Sequence, residues 1–180
     1  MTISKDDITK STIDQAVNRA SQLGVIKIVV ASCSGRTAEM LLGCGLEVVC
    51  VTHQIGFSNP NEDEMTSKMR AKLSSDGVKV LTGTHLMGGI NRALRSQFGG
   101  VYPSEIVATA LRMFGQGLKV CIEISVMAAD AGLVKAGENL IALGGSDTGA
   151  DTAAVICPAH SQDFFKTKIR EVICKPFNFK

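Results

Sequence analysis

Ile28-Val29-Val30-Ala31-Ser32-Cys33-Ser34-Gly35-Arg36-Thr37 changes character abruptly after Ala31. A β-branched apolar run gives way to small hydroxyl residues, a glycine and an arginine, and the helix-compatible stretch 38–42 follows at once. A buried strand that feeds a helix through such a loop brings backbone N–H groups, hydroxyl donors and a cation to one point, with the positive end of a helix dipole behind them. That combination is an anion site, and phosphate is the commonest anion to fill one. The alternative is an ordinary strand-to-helix turn in which Ser34 or Thr37 serves as an N-cap.

Upstream, Ile8, Ile13, Ala16, Val17, Ala20 and Leu23 recur at helical spacing before Gly24, which predicts a helix over about 7–23. The strand 25–31 is apolar on both faces apart from Lys27, as a central parallel strand should be. Downstream, 46–51 is a second strand leading into Thr52-His53-Gln54. Asn59-Pro60 marks a helix start, and Met65, Met69 and Leu73 repeat on one face until Gly77. A third strand spans 78–81.

The stretch 82–103 holds many glycines, the chain's single tyrosine (Tyr102) and a short helix at 91–98, and it suits an insertion or covering lid. Ser104 is placed to cap a helix over 105–114. Residues 119–131 fit strand or helix. A strand at 139–143, the loop Gly144-Gly145-Ser146-Asp147-Thr148-Gly149-Ala150-Asp151-Thr152 and a strand at 153–157 form an antiparallel hairpin. An amphipathic segment with Phe164, Phe165, Ile169, Val172 and Ile173 ends the chain. This alternation predicts a single domain over 1–180: a three-layer α/β/α sandwich on a mixed sheet, parallel but for its last strand.

Composition narrows the partners. The 180 residues are 45% hydrophobic and 20% charged, which suits a filled core. The formal net charge of +2 comes without a block of like charge, so no nucleic acid is expected, and the sparse aromatics argue against base-stacking platforms. The six cysteines lie far apart without a Cys-x-x-Cys pair, which predicts free thiols in a reducing cytoplasm. The polar N-terminus does not resemble a signal peptide, and no apolar run approaches the roughly 18 residues that span a bilayer, so no membrane partner is expected. Methionines and loop glycines are compatible with a homo-oligomer.

With these pieces in order, the chain resembles the C-terminal domain of pyruvate kinase. The resemblance rests on the 28–38 stretch, similar to that family's strand and hydroxyl-Gly-Arg/Thr-Thr loop. It rests also on Met127-Ala128-Ala129-Asp130-Ala131-Gly132-Leu133-Val134-Lys135-Ala136-Gly137-Glu138, similar to its helix and Gly-Leu, Lys-x-Gly-acid run, and on Gly144-Gly145 with 149–152. It covers roughly 8–158. The chain lacks room for a catalytic barrel, so the resemblance does not imply pyruvate kinase activity. It implies a five-stranded sheet in the order 3-2-1-4-5 with strand five antiparallel, and helix for 119–131. The sheet then reverses between strands one and four, where ligands bind beyond the carboxyl ends. Ser32, Ser34, Gly35, Arg36 and Thr37 would meet Gly145, Ser146, Asp147, Thr148, Gly149, Asp151 and Thr152 there. In the kinases that crevice holds a sugar bisphosphate, whereas free-standing relatives suggest flavin mononucleotide. Asp147 and Asp151 would repel a second phosphate, and they could instead accept hydrogen bonds from sugar or ribityl hydroxyls or cap the turn.

Catalytic templates are sparse. Neither the P-loop nor the Rossmann glycine pattern occurs. Cys33 and Arg36 stand closer together than a cysteine-phosphatase loop requires. His53 and His85 follow the carboxyl ends of strands and, with Thr84, are the acid–base candidates; loop histidines are commonly plain polar surface. Glu123 and Asp130 suit salt-bridged structural acids. No His/Cys/Asp spacing suggests a metal. Three readings follow: a binding module for a phosphorylated small molecule, flavin mononucleotide ahead of a sugar phosphate; a small enzyme using that ligand; or a non-catalytic partner subunit.

Overall fold

Ile28 and Val30 belong to one apolar cluster and Val29 to a second, and all three are fully buried. A strand can be apolar on both faces only where helices cover both. A computed structural model, which describes residues 4–178, sets this strand, β1 (Lys27–Ala31), within a sheet of six. The others are β2 (Glu47–Thr52), β3 (Lys79–Thr82), β4 (Leu140–Gly144), β5 (Thr152–Cys157) and β6 (Lys168–Cys174), in the order β3-β2-β1-β4-β5-β6. The first four strands are parallel, β5 runs antiparallel to β4, and β6 antiparallel to β5.

One face carries α1 (Lys5–Leu23), the single turn α2 (Arg36–Glu39) and α3 (Ser67–Ser75), whose Ile13, Ala16, Ala38 and Leu73 pack with Ile28, Val30, Cys50 and Ile141. The other face carries α6 (Gln116–Asp130), which sets Leu118, Cys121, Ile122 and Met127 on Val29, Val49, Ala142 and Ile156. The ambiguous stretch 119–131 is therefore helix. Gly117 lets α6 press against β5: a Cβ there would stand 2.1 Å from Thr152 Oγ1. Between β3 and α6 run α4 (Gly89–Phe98) and α5 (Pro103–Arg112). Among the described residues no helix is long and apolar enough to cross a membrane, and all six cysteines are free.

Three local expectations need correction. The sheet has six strands and not five, because 168–174 pairs along β5 as an edge strand. Helix α3 begins at Ser67 and not at Pro60: Thr66 Oγ1 accepts from the Met69 N–H at 3.2 Å, while Asn61 turns the chain with a φ of 63°. Ser104 does not cap α5, which starts on Pro103. Its hydroxyl instead donates to the Met87 carbonyl at 3.1 Å and accepts from Asn91 Nδ2 at 2.5 Å, tying the stretch 82–103 to α5. His160 precedes a helical turn, the 3-10 segment Ser161–Lys166.

Candidate functional site

Because β1 is flanked by β2 on one side and β4 on the other, the loops after β1 and β4 diverge from a common gap at the sheet's carboxyl edge. A cleft of about 680 Å³ opens there. The loop after β1 stays paired for one residue more, Ser32 N–H donating to the Val51 carbonyl at 3.0 Å. Ser32 is buried, and its Oγ accepts from the Thr37 N–H at 3.0 Å. Gly35, with a φ of 85°, packs where a Cβ would stand 2.5 Å from Met69 Cγ. Ser32, Ser34, Arg36 and Thr37 line the cleft, whereas Gly35 turns away from it. Since α2 is one turn long, it lends the loop little dipole. The positive charge at this end is Arg36 itself, whose Nη2 lies 2.5 Å from Asp6 Oδ2.

The loop after β4 is closed by Asp151. Its Oδ2 accepts from the Ser146 N–H at 3.0 Å and its Oδ1 from Thr152 Oγ1 at 2.7 Å. Gly145, Ser146, Asp147, Thr148 and Gly149 line the cleft; Asp151 and Thr152 shape the turn from behind. The start of α1 buttresses both loops. Thr9 Oγ1 accepts from the Ala150 N–H at 3.1 Å, and Lys5 Nζ pairs with Asp147 at 2.5 Å, which holds that carboxyl below its usual range.

The opposite end of the cleft is ring-lined. His53 and Phe57 stack with centroids 3.8 Å apart, His85 meets His53 edge-on at 4.6 Å, and the Arg92 guanidinium lies 5.1 Å from the Phe57 centroid. Burial pushes the His85 pKa below the ordinary histidine value; Glu123 draws it back up, and His53, Lys119 and Arg92 depress it further. His85 is therefore a neutral imidazole at pH 7, with its base function available. Thr84 is exposed and outside the cleft wall. Burial pushes the Cys33 thiol up to about 11, so it is no nucleophile at neutral pH. The floor comes from α6, where buried Lys119 and Glu123 form an ion pair and Glu123 Oε1 accepts from the Met87 N–H at 2.8 Å. Glu123 is thus a salt-bridged structural acid.

The family model described as pyruvate kinase, alpha/beta domain, matches residues 10–156. The chain belongs to the pyruvate kinase alpha/beta domain family. Among solved structures it is similar to a pyruvate kinase from Cryptosporidium parvum, at 14% identity with a TM-score of 0.45 over 87% of this chain and 23% of that one. It is similar also to the Cryptosporidium parvum pyruvate kinase in complex with ADP, at 15% identity with a TM-score of 0.45 over 87% and 24%. The chain thus spans about a quarter of the length of these kinases.

Within this alpha/beta domain, several cleft residues carry no signal in the sequence. Phe57 and Glu64 sit in an irregular loop, Arg92 on a helix without a buried residue, and Arg112 and Gln116 at a helix junction. Glu123 was read as a structural acid, and its partner Lys119 could have been noticed beside it, as an i,i+4 charge pair inside an otherwise apolar helix. Folding also brings together Cys33, His53 and Glu64, whose ligand-capable atoms all lie within 4.8 Å of one another. No sequence spacing announces that trio, because each member follows a different strand or turn.

Proposed function

We propose that this domain binds a phosphorylated small molecule with a planar aromatic half, such as flavin mononucleotide. The observation that carries the reading is the two-ended cleft. Hydroxyls and Arg36 gather at one end and Phe57, His53 and His85 at the other, in a space of about 680 Å³, within the range of small-molecule sites. The hydroxyl end suits one phosphate, and Asp147 beside it disfavours a second. The ring end suits an aromatic plane, with Phe57, His53 and His85 presenting ring faces and edges there. The reading gives the domain a binding role without pyruvate kinase activity of its own, in an intracellular setting.

An absorbance spectrum of the purified protein, followed by titration with flavin mononucleotide, tests it. The expected result is micromolar binding that Arg36→Ala weakens roughly ten- to hundredfold, the loss of one charge-assisted hydrogen-bond donor, and that Phe57→Ala also weakens. Binding of sugar phosphates with indifference to flavin would overturn the aromatic half of the reading. Indifference to both would leave the partner-subunit role.

A further inference from the structure

We infer that Cys33, His53 and Glu64 form a binding site for a divalent transition metal of the zinc class, at the ring-lined end of the cleft. The inference does not rest on the phosphate reading: Cys33 and Glu64 play no part there, and only His53, one of the three rings, is shared. Backbone geometry makes the site. Ala31 and Val51 are register partners, so Cys33 and His53 leave β1 and β2 side by side. The 55–66 loop then folds back over them. Gly56 N–H donates to the Glu62 carbonyl at 2.9 Å, Asp63 Oδ1 accepts from the Met65 N–H at 2.9 Å, and Met65 is buried as the loop's anchor. Glu64 is thereby turned inward, with one carboxylate oxygen 2.5 Å from His53 Nδ1 and the other accepting from Ser58 Oγ at 2.9 Å.

Charge argues the same way. Neighbouring Asp63 has its cation in Arg70, 2.6 Å away, whereas among the described residues Glu64 has no lysine or arginine partner. Its side chain is only 29% exposed and His53's 27%. One thiolate and one carboxylate neutralise a divalent ion, and the imidazole adds a neutral third donor. A sulfur, nitrogen and oxygen set favours zinc-class ions over magnesium or calcium, which prefer oxygen alone. Ligand atoms in a tetrahedral zinc site stand about 3.2–3.7 Å apart. With every pair within 4.8 Å, no separation has to close by more than about 1.6 Å, and the His53–Glu64 contact of 2.5 Å opens by about 1 Å. All three residues line the cleft, which leaves a fourth position open to it. On binding, the sulfur–metal bond forms as the thiol proton leaves to solvent.

The test titrates the full chain, freed of metal with a chelator, first with Co²⁺ and then with Zn²⁺. The expected result is one equivalent of cobalt with visible bands of tetrahedral intensity and a near-ultraviolet thiolate-to-cobalt band, both displaced by zinc. Cys33→Ser should abolish the thiolate band, whereas Cys44→Ser, at a cysteine outside the cleft, should keep it. Glu64→Gln should weaken zinc binding tenfold or more in competition with a chromophoric chelator. A wild-type protein without the thiolate band, or a band that survives Cys33→Ser, would overturn the site. If Cys33→Ser fails to fold by circular dichroism, Glu64→Gln decides: unchanged cobalt spectrum and zinc affinity would equally overturn it.

Discussion

The Arg36 guanidinium and the Asp6 carboxylate stand 2.5 Å apart across the mouth of the cleft, on α2 and α1 respectively. The pair is exposed on both sides, so it is worth little to folding. It nevertheless occupies the cation that would receive a phosphate. Asp6→Asn should leave thermal stability within about 0.5 kcal/mol. It should tighten flavin mononucleotide or phosphate binding roughly two- to fivefold, the worth of one exposed pair, by isothermal titration calorimetry. Weaker binding in Asp6→Asn would show that Asp6 positions Arg36 and does not compete with the ligand.

Gly35 couples the anion loop to α3. Its φ of 85° disfavours any side chain, and a Cβ would lie 2.5 Å from Met69 Cγ and 3.1 Å from Leu73 Cδ1. Gly35→Ala should therefore cost about 2–4 kcal/mol, combining left-handed strain with overpacking. Gly83→Ala, where nothing lies within 4 Å, should change stability by less than about 0.5 kcal/mol. Urea midpoints of the two variants make the comparison.

The Lys119–Glu123 pair is buried, with side chains 8% and 3% exposed. Lys119→Met should cost about 3–5 kcal/mol, because it strands a carboxylate away from water. Adding Glu123→Gln, which keeps an acceptor for the Met87 N–H, should restore more than half of that loss. A double variant no more stable than the single one would place the cost in packing around Lys119 and not in charge.

His85 makes stability depend on pH. Burial disfavours its imidazolium, so its folded pKa lies below the ordinary 6.5. Between those two values the unfolded chain holds a proton that the folded chain does not, and stability rises with pH. The melting temperature should fall as pH is lowered from about 7.5 through 6.5 and level off below the folded pKa. His85→Gln should flatten that segment. Carboxylates such as Asp63, lowered chiefly by the Met65 N–H, act only at more acidic pH.

Which parts of this architecture were legible depended on how far their cause lay from the residues concerned. The strands β1, β2, β4 and β5 are apolar on both faces, and burial on both faces is a property a short window of sequence displays. Edge strand β6 is different: Lys168, Arg170 and Glu171 interrupt its apolar residues, and only pairing with β5 defines it. Likewise α3 starts late because Asp63 turns the chain at Met65 and Thr66 supplies the cap, against the Asn59-Pro60 signal. The hydroxyl and glycine loops of the cleft were visible as composition. Glu64 and Arg92 were not, since the first is brought inward by the Met65 anchor and the second arrives from a separate helix against Phe57.

Helix α6 is at once the buried helix of one core and the floor of the cleft, so occupancy and global unfolding share a helix. A compound held at about 100 times its dissociation constant would add about 2.7 kcal/mol to unfolding. In a chain of this size that raises the melting temperature by about 5–11 °C. Collections of phosphorylated metabolites and metal salts can therefore be screened by melting alone, without an assay for any reaction.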